Sequence, residues 1–363
     1  MKTGIVGLPF SGKTTLFNAL TGAGLDAAAM AGGKRDAQHA IVKVPDVRLD
    51  RLNEIYQPKK KTPATIEYID LAGLSADEQK KGGFSDQFLG QLRTVDAVLV
   101  IAAAFHNDNV PHPLNRIDVN RDFNLVQEEF ILSDLAIIEN RLQRLEKEMR
   151  VRKTDAHVKE QALLERFKGA LEGVQPLRML DINAEEEHLI RGYQFITLKP
   201  HILVPNIDEK EIGRSEAIRA ENGDWEKIPQ TVVLPISAQI EMEIQQLSEE
   251  EGDVFRQDAG ITQPAMHRLL RSSYELLGLL SFFTVGEDEV RAWTIRKHTL
   301  APQAAGEIHS DIERGFIRAE VVHYDDFIAR GNMAKCRAEA VLRLEGKEYP
   351  VKDGDIINFR FAV

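Results

Sequence analysis

The stretch Gly7-Leu-Pro-Phe-Ser-Gly-Lys-Thr14 constrains the fold of this 363-residue chain more than any other segment. It matches the pattern G-x-x-x-x-G-K-[ST] at every fixed position, between an apolar strand and a helical pattern. The glycines let the loop wrap with its N–H groups facing phosphate oxygens, the lysine reaches the β- and γ-phosphates, and the threonine hydroxyl ligates Mg²⁺. A glycine turn that merely caps a structural helix is the alternative. We predict a phosphate-binding loop with contacts from Phe10, Ser11, Gly12, Lys13, Thr14 and Thr15.

A carboxylate at the end of another strand is the second element that such a site needs. Asp70 ends the apolar stretch 66–70, and Gly73 follows it in D-x-x-G spacing. We predict that Asp70 and Thr14 serve the Mg²⁺ side, and that the backbone N–H of Gly73 approaches the γ-phosphate. Lys13, Asp70 and Gly73 are therefore the predicted catalytic groups, although Asp70 could instead be a plain helix cap.

Polar residues after two further strands are candidates for contact with the base. These residues are Asn206, Ile207, Glu209, Ser237 and Ala238. In Ras-like GTPases the corresponding positions carry N-K-x-D and S-A; here Ile207 replaces the lysine and Glu209 the aspartate. A longer carboxylate cannot take the same bidentate position on guanine, whereas an Asn amide matches the N6 donor and N7 acceptor of adenine. The pattern favours ATP over GTP, and a strand-end turn without base contact is the alternative.

The order of apolar segments predicts the fold class. Short strands that look buried on both faces alternate with helical patterns, which indicates an α/β fold with a doubly wound sheet. The predicted strands are Met1–Gly7, Thr65–Asp70, Ala97–Ala104, His201–Asn206 and Thr231–Ser237.

A helical hairpin interrupts this predicted sheet. Apolar residues from Ile131 to Met149 recur at steps of 4, 3, 4, 3 and 4, which indicates one helix of about 25 residues. A second helical pattern follows, so we expect an antiparallel hairpin. Its charged tip, 150–155, is either a solvated turn or a contact for nucleic acid or protein.

The pattern of apolar and turn-forming residues changes near Leu280. From there on, short strand-like segments separated by turn residues predict a small α+β domain. The predicted domains are residues 1–130 with 196–275 for nucleotide binding, 131–195 for the hairpin, and 280–363. A linker, if there is one, falls near 248–264.

Composition limits the classes of function. The chain has 46 Lys+Arg against 57 Asp+Glu, so its net charge of −11 argues against non-specific coating of nucleic acid and leaves a local basic patch possible. One such candidate, for contact with RNA, is formed near Trp293 by Arg291, Arg296, Lys297 and His298. The longest apolar run, 97–105, has nine residues where a membrane span needs about 20. With a single cysteine, Cys336, and no signal-like segment, we expect a cytoplasmic protein without membrane or DNA partners.

The chain resembles the YchF or Obg-like ATPases, a family of P-loop proteins related to translation-factor GTPases that prefer ATP. The resemblance covers nearly the whole sequence and is most specific toward the C-terminus. It is carried by Asn206–Glu209, Asn107–Pro113, Val44–Arg51, Phe283–Arg296, Ala301–His309 and Gly315–Glu320.

This resemblance implies a Ras-like core, an inserted helical hairpin and a C-terminal TGS domain with a β-grasp fold. It also implies slow ATP hydrolysis with Mg²⁺ and association with the ribosome or ribosomal RNA. The family lacks the catalytic glutamine after D-x-x-G, and Leu74 stands there in this chain. A leucine cannot orient or deprotonate water, which agrees with slow turnover.

The sequence departs from the family pattern at three places. The family loop reads G-x-P-N-V-G-K-S, with an asparagine that relatives use for potassium, whereas this chain has Phe10-Ser11. The switch I threonine has no counterpart, because no Ser or Thr occurs between Thr21 and Thr62. Asp36 or water could take its place on Mg²⁺. Switch II, 75–84, also differs around its glycines.

We therefore predict a slowly hydrolysing, ATP-binding molecular switch associated with the ribosome or translation. The alternatives are a nucleotide-binding module with little turnover, a GTPase, or an RNA-binding protein with a vestigial phosphate loop.

Overall fold

The computed structural model of the chain describes residues 1–21, 38–71, 83–107, 112–258, 261 and 263–362. Its residues form two compact units, the first comprising Met1–Ala40 and Glu67–Leu269, the second Ile41–Ile66 and Leu270–Val363. Among the described residues no helix is long and apolar enough to cross a membrane.

Twelve strands are described, and they form two six-stranded sheets. They are β1 (Lys2–Val6), β2 (Gln38–Lys43), β3 (Lys60–Thr62), β4 (Thr65–Asp70), β5 (Ala97–Ala104), β6 (His201–Ile207), β7 (Thr231–Val233), β8 (Leu279–Thr284), β9 (Glu289–Arg296), β10 (Phe316–His323), β11 (Arg343–Glu345) and β12 (Asp355–Phe361).

Fourteen α-helices are described. They are α1 (Lys13–Thr21), α2 (Val47–Tyr56), α3 (Asp86–Arg93), α4 (Val119–Val151), α5 (Asp155–Glu172), α6 (Ala184–Ile190), α7 (Ser215–Glu221), α8 (Ala238–Ile244), α9 (Glu249–Asp258), α10 (Ala265–Leu276), α11 (Ala301–Ile308), α12 (Ser310–Arg314), α13 (Tyr324–Arg330) and α14 (Met333–Ala338).

The first sheet has the order β2-β4-β1-β5-β6-β7. The pairings from β4 through β1, β5 and β6 to β7 are all parallel, so the carboxyl ends of these strands share one edge. In such sheets ligands bind at that edge, beyond the strand ends. The α/β class predicted from the sequence is confirmed, and the predicted bounds of β4 and β5 match. β7 is shorter than predicted because only Thr231–Val233 continues the regular pairing.

The helical hairpin consists of α4 and α5, joined by the short turn 152–154. Thr154 caps α5 by accepting a hydrogen bond from the N–H of His157. A shared apolar core includes Ile138, Leu145, Leu164 and Phe167. At 33 residues α4 is longer than predicted. Its first turns pack Phe123, Val126 and Phe130 into the core of the sheet, and this part lies outside the heptad-like pattern.

Asp134, in α4, connects this helix to α3 and to the segment before β6. Its side chain is fully buried. It accepts hydrogen bonds from Arg93 Nη1 at 2.7 Å and from the Thr197 N–H and hydroxyl, each at 2.8 Å. One carboxylate therefore joins α3, α4 and the segment that leads into β6.

The second unit contains the mixed sheet β11-β10-β12-β8-β9-β3. β8 and β9 form an antiparallel hairpin, β12 runs parallel to β8, and α11 packs Ala301, Ala304 and Ala305 into the core. This arrangement agrees with the small α+β domain expected for the C-terminal part.

Residues 41–66 group with the second unit. β3 pairs in parallel with β9, and Arg48 donates hydrogen bonds to Asp46 (2.8 Å) and Asp353 (2.7 Å) while lying 5.2 Å from the Phe283 ring centroid. The sequence pattern predicted that residues 41–66 belong to the nucleotide-binding domain. The region 248–264, which was predicted to contain a linker, includes the helix α9. The exact domain bounds stay a prediction.

We expect Asp134→Asn to lower the free energy of unfolding by about 3 kcal/mol, because it leaves Arg93 without its buried counter-charge. The urea midpoint followed by circular dichroism measures this change. Glu146→Gln, an exposed site on the same helix, is the control and should shift stability by at most about 0.5 kcal/mol. Equal midpoints for the two variants would contradict the anchoring role.

Candidate functional site

The phosphate loop lies between β1 and α1 and depends on glycine at two positions. A Cβ atom on Gly7 would lie 2.2 Å from the carbonyl oxygen of Ile101 on β5. Gly12 has φ +94°, and a Cβ atom there would lie 2.2 Å from Asn206 Nδ2. Any side chain at either position would displace a strand or a buried amide. The two fixed glycines of the pattern therefore have a steric cause in this fold.

Lys13, the first residue of α1, folds back over the loop. Its Nζ donates hydrogen bonds to the carbonyl oxygens of Gly7 (3.0 Å) and Leu8 (2.8 Å). The ammonium group is therefore already held at the loop, where phosphate oxygens compete well for it because they carry full negative charge.

The side chains of Thr14 and Asp70, both predicted to serve the Mg²⁺ side, lie close together. The Thr14 hydroxyl donates to Asp70 Oδ2 at 3.4 Å. Asp70 ends β4 opposite Ile5 of β1, and this pairing brings the carboxylate to the start of α1. A hydroxyl oxygen beside a carboxylate oxygen is the donor set that Mg²⁺ prefers, with water and phosphate completing its shell. The residues present therefore fit this ion. Gly73, Leu74 and Asp36 lie outside the described residues.

Asn206 connects the phosphate loop to the loop after β7. Its Nδ2 donates to the carbonyl oxygen of Ser11 at 3.0 Å, and its Oδ1 accepts from the N–H of Ala238 at 3.0 Å. The side chain is buried. Since both ends of the amide are engaged, hydrogen bonds to adenine would have to compete with this bridge.

The other residues predicted to contact the base differ in exposure. Ile207 is buried within β6, whereas Glu209 is exposed at the start of the 3₁₀ segment Glu209–Arg214. Ser237 is buried, and its hydroxyl has no partner within the described part of the chain. Ala238 begins α8. All four lie at the carboxyl ends of β6 and β7, at the edge of the parallel sheet where β1 leads into the phosphate loop.

Phe10 and Ser11 occupy the two positions before Gly12 in the phosphate loop. Phe10 is 62% exposed and has φ 62°, a left-handed conformation that a bulky residue seldom adopts. The Ser11 hydroxyl is buried, again without a partner among the described residues. Thr15 is half-buried in the first turn of α1.

One contributor to the site, and one helix cap in the same unit, were not predicted. The Ile101 carbonyl imposes glycine at position 7, and no sequence signal marks it because every residue offers a carbonyl group. Glu241, in α8, accepts from the N–H of Ala265 at 2.8 Å and so caps α10. Burial raises the pKa of Glu241 despite this hydrogen bond. Its capping role depends on a partner 24 residues away, beyond any local pattern.

The parallel sheet, the glycine-dependent loop and the Thr14–Asp70 pair define a P-loop nucleotide-binding protein. A family model described as "50S ribosome-binding GTPase" matches residues 2–132. The YchF-type GTPase C-terminal model, described as "Protein of unknown function (DUF933)", matches residues 279–362.

The chain is 40% identical to the protein named ribosome-binding ATPase YchF from Bacillus subtilis (strain 168), over all of both chains. It is also 40% identical to the protein of the same name from Escherichia coli O157:H7, covering 100% of this chain and 99% of that one. The chain belongs to the YchF family.

A solved structure agrees with this assignment. The Schizosaccharomyces pombe YchF GTPase superposes with a TM-score of 0.86 at 33% identity, covering 99% of this chain and 97% of that one. A GTP binding protein from Pyrococcus horikoshii OT3 matches over the full length of both chains with a TM-score of 0.59 and 16% identity, a likeness of fold alone.

We expect Asn206→Ala to weaken ATP binding by about tenfold, because the Ser11 carbonyl and the Ala238 N–H lose the group that holds them together. Isothermal titration calorimetry measures this affinity. Asn222→Ala is the matched control, since Asn222 is also buried and its Nδ2 donates within its own helix end, to Ile218 O at 2.8 Å. Unchanged ATP affinity in a folded Asn206→Ala protein would exclude a supporting role for the bridge.

Proposed function

We propose that this protein is a ribosome-associated P-loop ATPase that binds ATP with Mg²⁺ and hydrolyses it slowly as a molecular switch. The observation that carries the proposal is the assembled Lys13–Thr14–Asp70 site in a chain whose full-length relatives are named ribosome-binding ATPases. The same relatives support a cytoplasmic location as part of the proposal.

The phosphate loop binds the triphosphate through its own groups. Backbone N–H groups of residues 10–15 surround the phosphates, and Lys13 exchanges its two carbonyl partners for phosphate oxygens. Thr14 and Asp70 would hold Mg²⁺, which when bound offsets the charge that develops on the phosphates. Lys13, Asp70 and the Gly73 N–H are the proposed catalytic groups.

Slow turnover is the expectation for this chain. Leu74 follows the D-x-x-G element and has no group that could orient or deprotonate water. Catalysis then depends on positioning and charge stabilisation by the loop and the metal ion, without a side chain at that position to direct the nucleophile.

The proposed preference for ATP follows from the residues that replace the lysine and the aspartate of N-K-x-D, which are Ile207 and Glu209. Ile207 is apolar and buried, and Glu209 is exposed, so neither reproduces the lysine and aspartate that hold guanine. We propose that Asn206 supports the base pocket by fixing two loops, while Ile207, Glu209, Ser237 and Ala238 line it. The GTPase alternative is decided by affinity.

We expect ATP to bind at least about tenfold more tightly than GTP. The two hydrogen bonds that the aspartate of N-K-x-D makes with guanine have no counterpart here, and together they are worth about 1.4 kcal/mol or more. Calorimetric titration of the same protein with each nucleotide and Mg²⁺ measures the ratio. A clear preference for GTP would refute the base-pocket argument.

We expect Lys13→Ala to weaken ATP binding by about 10- to 100-fold and to abolish cleavage under single-turnover conditions, because the substitution removes the ammonium group that the loop holds in place. Lys210→Ala, an exposed site beyond β6, is the control and should behave as the unmodified protein. If the unmodified protein itself gives no ADP above background, the low-turnover alternative is correct.

A further inference from the structure

One face of the second sheet carries closely spaced arginines. β10 and β12 pair so that Arg318 lies directly opposite Arg360, and Glu320 opposite Asn358. Residues two apart on a strand share a face, so these four side chains lie together. Arg337, from α14, reaches the same place with Nη2 3.5 Å from Glu320 Oε1. We call Arg318, Arg337 and Arg360 the arginine face.

A buried carboxylate orients two of these arginines. The Glu320 side chain is only 9% exposed and is paired with Arg360 and Arg337, whose side chains are 57% and 65% exposed. Asn358 Nδ2 donates to its other oxygen at 3.0 Å. Glu320 thus holds both arginine side chains beside it, and each of them remains more than half exposed.

The side chain of Arg318 is exposed and makes no ion pair or hydrogen bond within the part of the chain that the structure describes. Like charges directly opposite each other across two strands repel, so the Arg318–Arg360 pair is destabilising on its own. The arginine face carries three positive charges, and Glu320 supplies one negative charge beside them. Residues 281–363 as a whole have 12 Lys+Arg and 14 Asp+Glu, so this positive charge is local. An anionic ligand would relieve the repulsion.

We propose that the arginine face is an RNA-contacting surface that binds backbone phosphates. The planar guanidinium fork matches a phosphate group in two parallel hydrogen bonds, and neighbouring phosphates of one strand can be shared by Arg318 and Arg360. The exposed side chain of Leu344, which faces Glu320 across the sheet, extends the surface with apolar area for a base or ribose. It is distinct from the basic cluster near Trp293, where Arg291 stacks 3.7 Å from the indole centroid.

This inference rests on the proposed association with ribosomes, for which it names a contact surface and its chemistry. Because the whole chain is acidic, the contact must be confined to such a local patch. Binding through phosphates makes affinity fall with salt, in proportion to the number of contacts formed.

The test uses the full-length protein with a fluorescein-labelled RNA stem-loop and, separately, with purified bacterial 70S ribosomes. Arg318→Gln should weaken binding to both about tenfold and reduce the slope of log affinity against log salt by about 1. Arg318→Lys should retain most of the slope, because the charge remains. Arg314→Gln, on α12 and exposed, removes the same charge elsewhere in the domain and should change neither. ATP affinity should be unchanged in all three variants.

Each other outcome has a distinct meaning. If Arg318→Gln weakens ribosome binding but neither RNA binding nor the salt slope, the surface contacts a protein and the RNA assignment is wrong. If it weakens nothing, the surface itself is wrong while ribosome association stands. If RNA binds through Arg318 but ribosomes do not bind at all, the RNA surface is supported and the proposed function fails. If the unmodified protein binds no RNA, the inference is overturned.

Discussion

The close approach between Gly12 and Asn206 is the constraint on which the nucleotide site depends. Only a hydrogen at position 12 leaves room for the buried amide, which in turn holds the phosphate loop and the loop after β7 at fixed positions. The amide bonds backbone atoms, so it fixes the positions of these loops regardless of their side chains. This explains how the phosphate loop can carry Phe10 and Ser11 and still keep its shape.

Local chemistry made much of this site predictable. The glycine pattern, the lysine and the Thr14–Asp70 pair follow from spacing, because a strand, a loop and a helix must succeed one another for phosphate binding. The role of Asn206 did not follow in the same way. The sequence identifies Asn206 as an amide at the end of a strand. Whether this amide faces the base or holds other loops depends on residues that are distant in the sequence, such as Ser11, which is 195 residues away.

The fold shows the same division between local and distant causes. β4 and β5 have their predicted bounds, because a short apolar segment in the sequence corresponds directly to a strand that is buried in the sheet. The heptad-like pattern does not predict the start of α4, because Phe123 and Phe130 pack into the core of the sheet and not into the core of the hairpin. Residues 41–66 join the second unit through contacts such as Arg48 with Asp353, which are 305 residues apart. No local periodicity encodes such a pairing.

Charge follows from the fold in a similar manner. The net value of −11 describes the average surface, whereas a binding surface is set by the few charges that strand pairing brings together. Arg318 and Arg360 are far apart in sequence and meet only through the register of β10 and β12. Glu320, the acidic residue among them, is buried, and its charge fixes two arginines rather than repelling a phosphate. An acidic protein can thus present a cationic surface, provided that its carboxylates there are turned inward.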